Sequence, residues 1–177
     1  MSLLRRPREP GPAVQIVART PAHEATVWAM FQAAEYPPGL NGAQRLAWLS
    51  RYPARAAWVA MRGSDLLGHV AVADVQGGAA KLAWERARPE WAGKMLVVGR
   101  LFIAPAARGQ GLGRRLLTTA ADDIHRFNCL PVMTVPAQDW PAAHALCAAA
   151  GFRPVPGGDT EQLVACVGPP PAGYLDW

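Results

Sequence analysis

The sequence predicts a single mixed α/β domain, and three observations carry that prediction. Runs with strand character alternate with runs of helical spacing along the chain. Its 177 residues suffice for one real core. Half of them are hydrophobic (51%) and 18% charged, the balance of a folded globule, not of a disordered segment.

Taken in order, residues 1–12 are rich in Pro and Arg and are expected to form a loose lead-in. "AVQIVA" (Ala13–Ala18) predicts a short strand. In "TPAHEATVWAMFQAAE", Thr20 sits at an N-cap position, Pro21 at the first helical position and Glu24 in the opening turn. Pro37 and Pro38 stop that helix. A second helical piece runs over Ala43–Arg51 with Leu46, Trp48 and Leu49. Two β-like runs, Ala56–Met61 and Leu66–Val75, flank the turn "RGSD" and predict an antiparallel hairpin.

Residues 76–93 show no clear period and are expected to be a long connection of the functional kind. "KMLVVGRLFI" (Lys94–Ile103) is apolar enough for a buried central strand. Leu112, Leu116, Leu117, Ala120, Ile124 and Phe127 then recur at helical spacing. "LPVMTV" is a further strand, Asp139 and Pro141 open a helix that ends at Gly151, and "FRPV" and "EQLVACV" supply closing strands. The body of the domain is thus 13–167, followed by a Pro-rich tail, 168–177.

No apolar run approaches the roughly 18 residues a membrane span needs. The N-terminal stretch lacks the hydrophobic segment of a secretory signal, so a cytoplasmic location is expected, with no membrane partner. Cys129, Cys147 and Cys166 are widely spaced, which argues for reduced thiols and against a zinc or other metal site. The net charge of +5 suits an anionic ligand; the arginines are too scattered for a nucleic-acid track.

The segment "AARGQGLGRRLL" carries the chemistry. Gly109, Gly111 and Gly113 lie between a buried strand and a helix, fenced by Arg108, Arg114 and Arg115. A helix start offers unpaired amides and partial positive charge, and glycine lets a phosphate approach the backbone. A nucleotide P-loop would need Gly-Lys-Ser/Thr, where Gly113 is followed by two arginines. A dinucleotide fingerprint would need a glycine at Arg114 or Leu116.

The signature that does fit is R/Q-x-x-G-x-G/A, met by Arg108, Gly111 and Gly113. With "RLFIAPAARGQGLGRRLL" and, further on, "ALCAAAGF", the chain resembles the GNAT superfamily of acyl-CoA-dependent N-acyltransferases. That resemblance implies a mostly antiparallel mixed sheet, flanked by helices and splayed at a central V-shaped cofactor cleft. It implies acetyl-CoA as acyl donor and a primary amine as acceptor, joined by direct attack in a ternary complex. Leu101, Phe102 and Ile103 would face the pantetheine arm and thioester through their backbone. Arg108, Gly109, Gln110, Gly111, Leu112, Gly113 and Arg114 would hold the pyrophosphate. Such a chain is compatible with a homodimer.

The family's usual proton-donating Tyr falls at Cys147 and its Asn at Trp140, so both depart from the pattern. Cys147 is a candidate acid or a small buried hydrophobe. His144, Tyr36, Tyr52 and Tyr174 are further candidates, and Glu35, Glu85 and Glu90 are candidate bases. Trp84 and Trp91 are expected to form a lid over the acceptor, whereas Trp28 and Trp48 have core spacing. "MTVPAQDW" and Cys147 do not reproduce the ribosomal-protein acetylating branch, which favours a small-molecule acceptor over a protein amine. The missing Tyr and Asn leave a non-catalytic acyl-CoA sensor as the alternative.

Overall fold

The computed structural model describes residues 13–37, 39–50, 54–156 and 163–174. One seven-stranded sheet organises them. Its strands are β1 (Gln15–Ala18), β2 (Ala56–Arg62), β3 (Asp65–Asp74), β4 (Met95–Ile103), β5 (Leu130–Pro136), β6 (Arg153–Pro154) and β7 (Leu163–Val167). Their spatial order is β1-β2-β3-β4-β5-β7-β6. Every neighbouring pair is antiparallel except β4 and β5. A parallel pair needs a crossover, and α4 (Leu112–Arg126) supplies it.

Strand alternation sends side chains to two separate layers. On one face Leu112, Leu116, Leu117, Ala120 and Ile124 of α4 pack on Val70, Val72, Leu96 and Val98. The helix α5 (Trp140–Ala149) shares that layer through Cys147, and Phe152 just beyond it is also buried there. On the other face lie α1 (Glu24–Ala33), α2 (Gly42–Ser50) and α3 (Ala79–Ala87). Val27 and Phe31 of α1 cover Val59 and Phe102, with Trp48 of α2 edge-on to Phe31 at 5.8 Å.

Local signals explain most boundaries. A 3-10 turn, Pro21–His23, leads into α1, and the Thr20 N–H donates to His23 Nδ1 at 3.0 Å. Asn41 and Gln44 cap α2 reciprocally: each backbone N–H bonds to the other's side-chain oxygen, at 2.8 and 2.9 Å. Gly151, at φ 81°, terminates α5 as expected.

Two expectations need correction. Residues 76–93 are no loop: they hold α3 and a 3-10 turn, Pro89–Trp91. Leu82 hides the period: it is 54% exposed, while the small Ala80 and Ala83 face the sheet with Trp84. Phe127, placed on the α4 stripe by spacing, lies one residue past the helix end and is 61% exposed. The tail is irregular but attached. Gly168 N–H donates to Pro131 C=O (2.7 Å), His125 Nε2 bonds to the Pro169 carbonyl (2.9 Å), and Tyr174 packs on Trp91 at 4.7 Å.

Candidate active site

β4 and β5 stay together for three rungs only. Met95, Leu96 and Val97 pair with Leu130, Pro131 and Val132, after which no further rung joins the two strands. Beyond Val97, β4 remains bonded to β3 and β5 to β7, so each is held while the gap opens. A V-shaped cleft is the result, at the carboxyl ends of the parallel pair, where open α/β sheets place their ligands.

A bulge sets the angle of the departing strand. His69 pairs with Phe102 but Ala71 pairs with Gly99, so Val70 faces two residues, Arg100 and Leu101. Arg100 accordingly takes a left-handed conformation, φ 52°. His69 pins this distortion. Its Nδ1–H donates to the Arg100 carbonyl at 2.9 Å, since a carbonyl can only accept. His69 is fully buried and set edge-on against Phe31, and its Nε2 meets no partner among the described residues. Burial drives its pKa down to about 4, with the charges of Arg19 and Arg100 adding to the effect, so the ring is neutral at physiological pH.

At the end of β4 the chain makes a 3-10 turn, Pro105–Ala107, and enters α4. Gly109 and Gly111 both have left-handed backbones, φ 75° and 73°, and a Cβ on either would meet nothing within 4 Å. Their surroundings are open, so a bound group has room against the backbone itself. Gly111 is the N-cap and no side chain caps the helix. The first amides of α4 are therefore left for a ligand. Gly113 differs from the other two. It is buried, and its Cβ would come within 3.0 Å of Leu146 on α5, so its small size serves helix packing.

The polar side chains of the loop brace it. Arg108 Nε donates to the Ile103 carbonyl (3.3 Å), Arg62 donates to Gln110 Oε1 (2.7 Å), and Arg115 reaches the Val14 carbonyl (3.0 Å). Arg114 is exposed and lines a trough of about 670 Å3 along α4 with Gly111, Thr118 and Thr119. Leu101 and Ile103 contribute side chains to the α4 layer while Phe102 is buried on the opposite face. Only their backbone is left to serve a ligand.

A family model described as "Acetyltransferase (GNAT) family" matches residues 22–152. The chain belongs to that family. No curated protein matches it by sequence. Among solved structures, the ribosomal-protein-S18-alanine N-acetyltransferase of Escherichia coli superposes with a TM-score of 0.65 at 15% identity, covering 93% of this chain and 99% of that one. NAA60 of Arabidopsis thaliana, in complex with acetyl-CoA, gives 0.64 at 14% identity over 88% and 97%. A spermidine N-acetyltransferase SpeG chimera from Vibrio cholerae and hSSAT gives 0.60 at 15% over 88% and 94%. At these identities the likeness shows the shared GNAT fold.

Within this GNAT frame the catalytic candidates separate. Cys147 is 1% exposed and part of the α4–α5 core, and burial raises its thiol pKa. That is the setting of a small buried hydrophobe, the other reading of this position. Tyr174 packs on Trp91, and His144 is exposed, edge-on to Trp140 at 5.1 Å. Tyr52 lies outside the described residues. Tyr36 packs in the aromatic cluster of the α1–α2 layer, its ring 5.6 Å from that of Phe102 near the end of β4 and 6.0 Å from Phe31 and Trp48. Burial raises the pKa of its phenol, and the charge of Asp139, at the foot of α5 across the gap, raises it further.

The acidic candidates fare less well. Glu85 pairs with Lys81 (3.3 Å), Glu90 with Arg88 (2.6 Å), and Glu35 is exposed. Trp84 and Trp91 are 3% and 2% exposed, in a core with Met95, Leu130 and Val132, so they form no lid. Trp28 instead lines a cavity. Sequence reasoning passed over His69, Arg100 and Arg19. A single charged residue in "MLVVGRLFI" and a single His in "LLGHVAVAD" were the available signals.

Proposed function

We propose that this GNAT protein is an N-acetyltransferase that moves the acetyl group of acetyl-CoA to a primary amine of a small molecule, in a ternary complex. The observation that carries the reading is the uncapped start of α4, with left-handed Gly109 and Gly111 in open space, beside a strand that parts from its neighbour after Val97. Amides at that helix start suit a diphosphate, and the backbone of Leu101–Ile103 suits a pantetheine arm in the gap. The acetyl-CoA and CoA complexes among the similar structures support the same donor.

In the transfer, the amine nitrogen forms a bond to the thioester carbon, the carbon–sulfur bond breaks, and the sulfur leaves with the electron pair. The nitrogen gives up one proton to solvent and the sulfur takes one. Tyr36 is the proposed donor of that second proton, in place of Cys147. Its raised pKa keeps the phenol protonated through the neutral range, and its ring packs on Phe102 at the end of the parting strand while it feels the charge of Asp139 beyond β5. A phenol in that position also weighs against the sensor reading. A small acceptor is favoured over a protein amine because the cavity beside Arg100 is only about 390 Å3. A cytoplasmic setting accords with Cys129, Cys147 and Cys166 forming no disulfide. Among the described residues, no helix is long and apolar enough to cross a membrane.

Calorimetric titration with acetyl-CoA, followed by an amine panel scored by free thiol release, tests the reading. Binding and turnover are expected; absence of acetyl-CoA binding would overturn it.

A further inference from the structure

The α1–α2 face of the sheet contains a cavity of about 390 Å3, lined among others by Arg19, Glu24, Trp28, Leu49 and Arg100. Register explains the hollow. Arg19 donates its N–H to Ala57, Ala57 pairs with Ala71 and Ala71 with Gly99, so the sheet is thin at that level across three strands. Trp28, half-buried on α1, adds a flat apolar wall.

Two guanidinium groups, Arg19 and Arg100, face one carboxylate, Glu24, among the described lining residues. Arginine is the side chain best matched to a carboxylate, through paired N–H donors in one plane. Burial and the nearby charge of Arg19 both disfavour the cationic form of Arg100. An anion set against the two relieves that repulsion. Position points the same way: Arg100 belongs both to this wall and to the bulge whose next residues, Leu101–Ile103, border the cleft.

We propose that the acceptor amine is carried by a small molecule that also bears a carboxylate, and that Arg19 and Arg100 hold this carboxylate in the cavity. The proposal rests on the acetyltransferase reading and gives its substrate class. A carboxylate anchored at Arg100 leaves an amine a few bonds away at the strand end where the thioester belongs. Polycationic amines are excluded by the same two arginines.

The test uses the full chain and matched pairs that differ only in the anion: L-phenylalanine against L-phenylalaninamide and L-methionine against L-methioninamide, with spermidine as the polycationic arm. Binding is read by calorimetry with and without acetyl-CoA, and turnover by thiol release. The acids are expected to bind at least about tenfold tighter than their amides, and spermidine weakest, as charge-assisted pairing implies. Arg19→Gln and Arg100→Gln should each collapse the acid-to-amide ratio to below about threefold. Far-ultraviolet circular dichroism confirms that each variant is folded. Equal affinity for acid and amide, preference for spermidine, binding of none of the panel, or a ratio that survives both substitutions would overturn the inference. These outcomes with acetyl-CoA still bound refute only the substrate class. Loss of acetyl-CoA binding in the unaltered chain refutes the parent reading, and the calorimetric acid-to-amide ratio still decides the cavity.

Discussion

The two faces of the β4 strand do different work by different means. Towards α4 the chain offers a ligand its backbone: left-handed glycines, an uncapped helix and a strand end freed from its neighbour. Towards α1 and α2 it gathers side chains, Arg19, Tyr36, His69 and Arg100, from four separate segments, with Arg19 and Arg100 lining a cavity and His69 buried behind them. A backbone site must be written as one contiguous stretch, because adjacent amides are adjacent in sequence. A side-chain site carries no such demand. The first is therefore conspicuous in a single sequence and the second is dispersed.

Substitutions sharpen this contrast. The largest effect is expected from Gly111→Val. A β-branched residue at φ 73° is strained and fills the open space, so acetyl-CoA affinity should fall at least about a hundredfold by calorimetry. Gly113→Leu, two residues on, should act differently. It overpacks the α4–α5 contact at Leu146 and lowers the melting temperature, by about 1–3 kcal/mol of stability, while the folded protein still binds acetyl-CoA. If Gly113→Leu abolished binding without destabilising the fold, the distinction between the two glycines would be lost.

His69 comes next. Its folded-state pKa of about 4 lies below the unfolded value near 6.5, so the unfolded chain binds more protons between these pH values. The stability tied to the neutral ring is complete above about pH 6.5 and is lost as pH falls towards 4, amounting to about 3 kcal/mol at roughly 1.4 kcal/mol per unit. Urea unfolding across that window should show this loss, and His69→Gln should flatten the difference. An unaltered slope in the variant would remove His69 from the account of the bulge.

On the side-chain face, Tyr36→Phe should lower kcat by about tenfold or more with little change in the KM for acetyl-CoA. The smallest effect is expected at Cys147. Cys147→Ala should cost about 1 kcal/mol through lost packing, seen in thermal melts, with kcat unchanged. A kcat that collapsed in Cys147→Ala but not in Tyr36→Phe would reverse the roles given to the two residues.

The alternation of strands and helices was legible wherever apolar contrast marks a period, as along α4 and through "KMLVVGRLFI". It failed over α3, where the large apolar Leu82 points to solvent while small alanines share the buried face with Trp84. Tryptophans misled for a related reason. An irregular-looking stretch made Trp84 and Trp91 candidates for a surface lid, yet the sheet needed their bulk to fill its second layer. The glycine loop stood out because left-handed Gly109 and Gly111 restrict what that segment can be. The bulge at Arg100 could not, since it depends on which β3 residue faces which β4 residue, a relation set by tertiary pairing.

The segment from Gly168 to Tyr174 has a consequence for engineering this chain. It is bonded to β5 through Pro131, to α4 through His125 and to the α3 side through Trp91, so it wraps the rim of the sheet and ties one helical layer to the other. A deletion back to Val167 would slacken both layers together, like cutting the hoop of a cask, and would also remove a bond to Pro131, on the middle of the three rungs that join the parallel strands.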